Sequence, residues 1–230
     1  AIARLVGMMA ERVIPASTAT AGRERLVAYL LLACTVTPFG GSFVFTNQGT
    51  YNRNATGHTS YFDVPFDNAG TVNILAGDLQ FRAGGTLSST GTIAAASGTN
   101  LTFTSGYTVT NGASLTGAGT FNLSGGTFDL TGTLTASTFN QTGGTLAGIN
   151  SLAGIFNWSG GDWSTATSGT STTVLAGTTL NLTSGSSKDF NHRAVVNQGT
   201  VNWHSGYLRS GQDGSFTNAS GATFNDLTTS

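Results

Sequence analysis

One cysteine and three prolines in 230 residues deprive this chain of two common ways of stiffening a fold. Cys34 has no partner within the chain, which excludes an intrachain disulfide framework. Charge is equally scarce: Asp, Glu, Lys and Arg supply 8 % of the residues, against roughly 25 % in an average globular domain. The formal net charge of −1 offers no electrostatic footprint for nucleic acid. Three histidines and one cysteine do not make a zinc set. The sequence also contains no Gly-x-Ser-x-Gly elbow, His-Glu-x-x-His, phosphate loop, dinucleotide fingerprint or calcium-binding nonapeptide. No catalytic residue, cofactor or metal is therefore expected.

What is abundant is Gly, at 33 positions, together with Ser, Thr and Asn. Such a composition can mean disorder, but disordered chains lack aromatic and β-branched residues. Here there are 14 Phe, 5 Tyr and 3 Trp, spread along the chain. A core is expected, drawn out along the whole sequence.

The first forty residues differ from the rest. Arg4, Glu11, Arg12, Arg23, Glu24 and Arg25 crowd the beginning, whereas residues 83–187 carry only Asp129 and Asp162. Ile2, Leu5, Val6, Met9 and Val13 have a loose helical spacing. Arg23-Glu24-Arg25 then precedes an apolar run ending in small residues, the order of a secretory signal, although the run is short for a membrane span. Residues 1–40 read either as a signal-like segment that meets the membrane during export or as a short helical cap over the first rung of the repeat region.

From residue 41 onward the chain repeats. Gly49, Gly70, Gly91, Gly112, Gly132, Gly154, Gly177, Gly199 and Gly221 recur at nearly constant intervals, and Thr follows six of them. Asn47-Gln-Gly-Thr50 returns as Asn197-Gln-Gly-Thr200. Thr71-Val72-Asn73-Ile74, Thr120-Phe121-Asn122-Leu123 and Thr200-Val201-Asn202-Trp203 alternate polar and apolar residues, the period of a half-buried strand. Two more apolar pairs complete each repeat, as Leu101/Phe103 and Tyr107/Val109 do after Ile93. Asn111-Gly112 is the only Asn-Gly pair, so hairpins lack their usual turn. The pattern predicts an all-β fold over 41–230, a right-handed parallel β-helix with rungs of about 21–23 residues. Apolar columns should lie inside, and Thr and Asn columns outside, with Asn laddering between rungs. Ser114, Thr179 and Thr223 fall where an apolar residue is due and read as bulges. Ser164–Thr173 reads as an outward loop.

Asn197-Gln-Gly-Thr-Val-Asn-Trp203, Ser205-Gly-Tyr-Leu208 and Phe216-Thr-Asn-Ala-Ser-Gly-Ala-Thr-Phe224 resemble the repeats of bacterial secreted surface proteins, namely autotransporter passenger regions and filamentous-haemagglutinin-type adhesins. The resemblance covers about residues 43–230. It implies export to the bacterial surface and a β-helix, and it assigns no functional residue.

Polysaccharide chemistry on a β-helix needs acids brought close on neighbouring rungs. Counted from the preceding glycine, Asp78 matches Asp162 and Asp63 matches Asp213, but several rungs apart. The one concentration of charge is Lys188, Asp189, Arg193, Arg209 and Asp213, with His192 and His204 nearby. It reads as a partner-binding patch or as a mixed-sign, water-exposed surface. The expected function is an extracellular structural or adhesive rod that stacks end to end on copies of itself, through the open rung after Phe216 and Phe224, or binds surface proteins and glycans. Two alternatives stay open. One is an ice-binding solenoid using Thr50, Thr71, Thr92, Thr133, Thr178 and Thr200, a column that Ala113, Ile155 and Ala222 interrupt. The other is a carbohydrate-binding or carbohydrate-active β-helix.

Overall fold

The computed structural model describes residues 34–229. The expected helical or signal-like segment lies outside them up to residue 33. Within its described part Cys34–Val36 forms strand β1, so regular β-structure begins earlier than residue 41.

Alternation of apolar and polar residues gives each strand one inward and one outward edge, and like edges stack from rung to rung in parallel. Among the described residues this gives twenty-five short strands, β1 to β25, wound as a β-solenoid with three faces. The first face carries β1, β4 (Thr59–Phe62), β7 (Asp78–Phe81), β10 (Asn100–Phe103), β13 (Thr120–Leu123), the second halves of β15 (Gly132–Gln141) and β17 (Ile149–Trp158), then β19 (Thr179–Leu182), β22 (Thr200–Trp203) and β25 (Thr223–Asp226). The second face carries β2 (Phe45–Asn47), β5 (Phe66–Asn68), β8 (Gly85–Leu87), β11 (Tyr107–Val109), β14 (Thr127–Leu130) and β16 (Thr145–Ala147). It continues through Asp162 to β20 (Lys188–Asp189) and β23 (Leu208–Arg209). The third carries β3 (Thr50–Arg53), β6 (Thr71–Ile74), β9 (Thr92–Ala95) and β12 (Ser114–Thr116). After these come the first halves of β15 and β17, then β18 (Thr170–Val174), β21 (Arg193–Asn197) and β24 (Ser215–Asn218).

The interior is a set of apolar columns. On the first face Leu79, Leu101, Phe121, Phe139, Phe156, Leu180 and Val201 lie one above another, all buried. Each such side chain contributes about 1.5–3 kcal/mol of transfer free energy.

Rung length is less uniform than the glycine spacing suggests. Stacked asparagines on the first face are separated by 18, 17, 24, 21 and 23 residues in turn. The short rungs fall where β15 and β17 run continuously through two faces. Gly132 lies beside Asn150, and Gly154 beside Ala136, so the glycine series changes corner between these strands. The glycines up to 132 precede third-face strands, and those from 154 precede first-face strands. The two Asn-Gln-Gly-Thr copies consequently occupy different corners. A register shift between Ala136 and Thr138 accommodates the change, and Gly154 opposite it has φ +121° with space for no side chain. A Cβ there would come within 1.8 Å of the Ala136 carbonyl.

Ser114, Thr179 and Thr223 are not bulges. They point outward in register with Thr92, Ile155 and Thr200. Their extra residue is taken up in the preceding corner, where Ala113, Thr178 and Ala222 each donate an amide to the carbonyl three residues back. The outward loop is shorter than expected, since Thr170–Val174 is strand β18 with Thr172 and Val174 buried.

Candidate functional site

The charged residues read as one patch divide into an interior part and a surface part. Lys188 shares its orientation with Phe190, and Arg193 with Val195; alternation turns all four inward and they are buried. Lys188 Nζ donates to the Ser186 carbonyl at 2.7 Å, and burial holds its pKa below the usual lysine value. Arg193 spreads its guanidinium over four acceptors. Nε donates to Trp163 O at 2.6 Å, Nη1 to Ser171 O at 3.1 Å and Thr172 Oγ1 at 2.6 Å, and Nη2 to Leu146 O at 3.1 Å. Burial pushes its pKa down to about 10, a shift partly offset by the charges of Asp129 and Asp162. Neither cation presents its charge to a partner, which corrects the expectation of a solvent-facing cluster.

Asp189 and Arg209 do face water. Their two-pronged ion pair has Arg209 Nε on Oδ1 and Nη2 on Oδ2, each at 2.7 Å. The hydrogen bonds from Arg209 hold the Asp189 carboxyl below its ordinary range. Asp213 is exposed in a turn at φ 65°. His204 is exposed too, while His192 has its Nδ1 buried without a partner among the described residues.

The acids matched by glycine offset are apart in space as well. Asp78 lies on the first face, accepting from Asn100 Nδ2 at 2.8 Å, whereas Asp162 belongs to the second face beside Thr145. Asp63 is bound to Arg82 at 2.6 Å. Among the described residues no group of three or more His, Cys, Asp or Glu side chains could hold a metal ion.

The expected threonine column is split. Thr50, Thr71 and Thr92 line the third face, Thr200 lies on the first, and Thr178 is buried with its hydroxyl donating to Leu152 O at 2.9 Å. A different row runs along the first face, Thr120, Thr138, Thr179, Thr200 and Thr223, interrupted once by Ile155 between Thr138 and Thr179. Beside it runs an asparagine ladder in which each amide donates to the Oδ1 one rung earlier. The bonds are Asn140 to Asn122 at 3.0 Å, Asn157 to Asn140 at 2.9 Å, Asn181 to Asn157 at 2.8 Å, Asn202 to Asn181 at 2.9 Å and Asn225 to Asn202 at 2.8 Å.

One surface concavity has no counterpart among the sequence expectations. It is an open trough of about 270 Å³ on the second face, lined by Thr46, Asp67, Asn68, Ala69, Thr86 and Ser88. Thr46, Asp67 and Thr86 occupy the same outward position on β2, β5 and β8. Their shared parity was legible from Phe66 and Asn68 on either side of Asp67, but the hollow between rungs was not.

No family model matches the chain, nor does any curated protein or solved structure.

Proposed function

We propose that this solenoid is a structural or adhesive rod at the extracellular face of a bacterium, working by holding surfaces at a distance and not by catalysis. The observation that carries the reading is the asparagine ladder. Five amide bonds in one direction tie six rungs along a single edge, outside a core whose columns run from Phe45 to Phe224. Stacked parallel strands joined by such a ladder resist bending in the way repetitive fibres do. About nine rungs at a strand spacing near 4.8 Å make a stack roughly 40 Å long. The near-zero net charge gives no sign of a nucleic-acid partner.

The partner that best fits the rod is a further parallel rung. β24 and β25 each pair on one side only among the described residues, and their own Phe216 and Phe224, with Trp203 of the rung before, are only partly covered. A matching strand edge would complete these bonds, whether it is a further rung of a longer chain or the first rung of another copy in a head-to-tail contact that grows a filament. Electron microscopy of the purified 230-residue chain tests this. Fibres of rung periodicity are expected, lost when a charged helix is appended after Ser230 with the β-signal unchanged. A monodisperse monomer at high concentration would sink the assembly reading, and turnover of pectin, alginate, hyaluronan or arabinan would sink the non-catalytic one.

A further inference from the structure

The trough on the second face is a hollow whose outward polar groups are left free. Among the described residues no hydrogen bond or ion pair engages the Asp67 carboxylate, and the hydroxyls of Thr46 and Thr86, one rung to either side, make none. Several other surface acids are taken: Asp63 by Arg82, Asp78 by Asn100, Asp189 by Arg209, Asp226 by Thr228. The trough's floor is fixed. Asn68, 1 % exposed, receives Asn47 Nδ2 at 2.7 Å and donates to Gly70 O and Thr92 O at 3.1 and 3.0 Å. Its rim is fixed on one side by Thr90, which donates to Ala69 O at 3.1 Å and meets Ser88 Oγ at 3.3 Å.

We propose that this trough binds one hexose unit of a neutral glycan, with Asp67 accepting from two adjacent ring hydroxyls and Thr46 and Thr86 bonding the groups on either side. The volume of about 270 Å³ lies just under the roughly 300 Å³ at which pockets for drug-sized ligands begin, which is room to seat a single small ring. The charge selects among small rings. A lone carboxylate with no cation beside it repels phosphate, sulfate and uronate groups, while hydroxyl donors answer it directly. With one carboxylate and neutral oxygens, the site lacks the several anionic ligands that calcium binding favours. Preformed walls on a rigid stack lower the ordering cost of weak, repeated contacts, the regime in which multivalent adhesion operates. The trough stands apart from the rod reading: a filament without sugar affinity leaves that reading intact.

The test is an amide-resolved NMR titration of the full chain with methyl glycosides of glucose, galactose, mannose and N-acetylglucosamine, and with calcium chloride in a separate arm. At least one sugar should shift the amides of residues 46, 67–69, 86 and 88 saturably in the millimolar range. Asp67→Asn should weaken that binding roughly tenfold, the worth of one hydrogen bond to a charged group, with the circular dichroism spectrum unchanged. Thr86→Val should weaken it less. Three results overturn the proposal: no saturable shift with any sugar, equal binding by Asp67→Asn, or shifts produced by calcium chloride and by no sugar.

Discussion

The rungs before Thr116 and those after Gly132 solve the same stacking problem by different means. In the first group aromatic rings carry the interior. Phe45 stacks on Phe66 at 5.1 Å, Phe66 on Phe81 at 4.5 Å and Phe81 on Tyr107 at 5.4 Å. Their rungs keep register without interruption, and Asn73 to Asn52 is an isolated amide bond on the third face. In the second group rung length swings between 17 and 24 residues, and the buried polar side chains Gln141, Thr172, Thr178, Lys188 and Arg193 answer Asn47, Arg53, Ser60, Asn68 and Thr99 of the first group. A change in rung length leaves main-chain carbonyls without the strand partner that a regular stack provides, and a buried carbonyl must be bonded. Arg193 does this for Trp163, Ser171 and Leu146 at once, and Gln141 accepts from Trp163 Nε1 at 2.7 Å while donating to Gly144 O and Asp162 O. The regular group has buried donors too, Arg53 on Asp78 O and His58 O and Asn68 on Gly70 O and Thr92 O, so what distinguishes it is the unbroken run of stacked rings.

The sharpest way to break this contrast is to remove one anchor from each half. Phe81→Ala takes out the ring that bridges Phe66 and Tyr107, and a loss of about 3–5 kcal/mol is expected in urea unfolding. Hydrogen exchange should quicken first between residues 59 and 109. Arg193→Met fills similar space but withdraws the guanidinium donors from three carbonyls, which costs on the order of 3 kcal/mol. Its exchange should quicken around residues 146, 163 and 171. If both variants loosen the same rungs, the two halves are one cooperative unit and the contrast has no energetic meaning.

Much of this architecture was legible in the sequence, for a definable reason. Alternation has a period of two whatever the rung length, so the strands around Val72, Phe121 and Val201 could be read directly, and with them the parallel stack. Glycine spacing is a poorer ruler because glycines mark corners. When β15 and β17 absorb a corner into a strand, the ruler steps to the next face unnoticed. Counting charge without parity obscures the charged cluster: Lys188 two residues before Phe190, and Arg193 two before Val195, already pointed inward. The sequences Asn122-Leu-Ser124, Asn140-Gln-Thr142 and Asn157-Trp-Ser159, which resemble glycosylation sites, are one structural unit. Their asparagines ladder, and their hydroxyls donate to Phe103 O, Leu123 O and Gln141 O of the rung before.

Lys188 sharpens the contrast because it is the counter-case to Arg193. It is equally buried but bonds one carbonyl, that of exposed Ser186, which water can serve instead. Lys188→Met is expected to stabilise the chain by about 1–2 kcal/mol, since a buried charge with little to hold it is better replaced by an apolar side chain. A pH dependence comes with it. A lysine whose folded pKa is depressed makes the unfolded chain bind more protons between the folded and unfolded values, so stability climbs with pH across that interval. Lys188→Met should flatten that climb; an unchanged slope would mean that Lys188 reaches water.

A smaller effect is expected from the ladder. Asn157→Ala removes one bond given and one received, both half-exposed, and should cost about 1 kcal/mol because water takes over part of each. Asn73→Ala on the isolated third-face pair should cost less. Equal losses at the two positions would show that the ladder's bonds do not reinforce one another.

The smallest effect belongs to the surface ion pair, the part of the charged cluster that faces solvent as a bonded unit. Asp189 and Arg209 cross from β20 to β23, in the irregular half, with side chains 30 % and 60 % exposed. Exposed pairs contribute little because water and salt compete for both partners. The sign of the pH dependence is fixed all the same. Asp189 has its pKa depressed, chiefly by the hydrogen bonds from Arg209, so its stabilisation is present above the unfolded carboxylate value of about 3.9 and fades as pH falls through the lower folded one. Arg209→Ala should therefore shift the urea midpoint slightly at neutral pH and not at all in strong acid. A large shift at neutral pH would show that β20 and β23, the only two strands of their sheet among the described residues, depend on this pair to stay in register. Raising the salt concentration separates the cases: a screened surface pair loses its small contribution, while a register lock keeps most of its own.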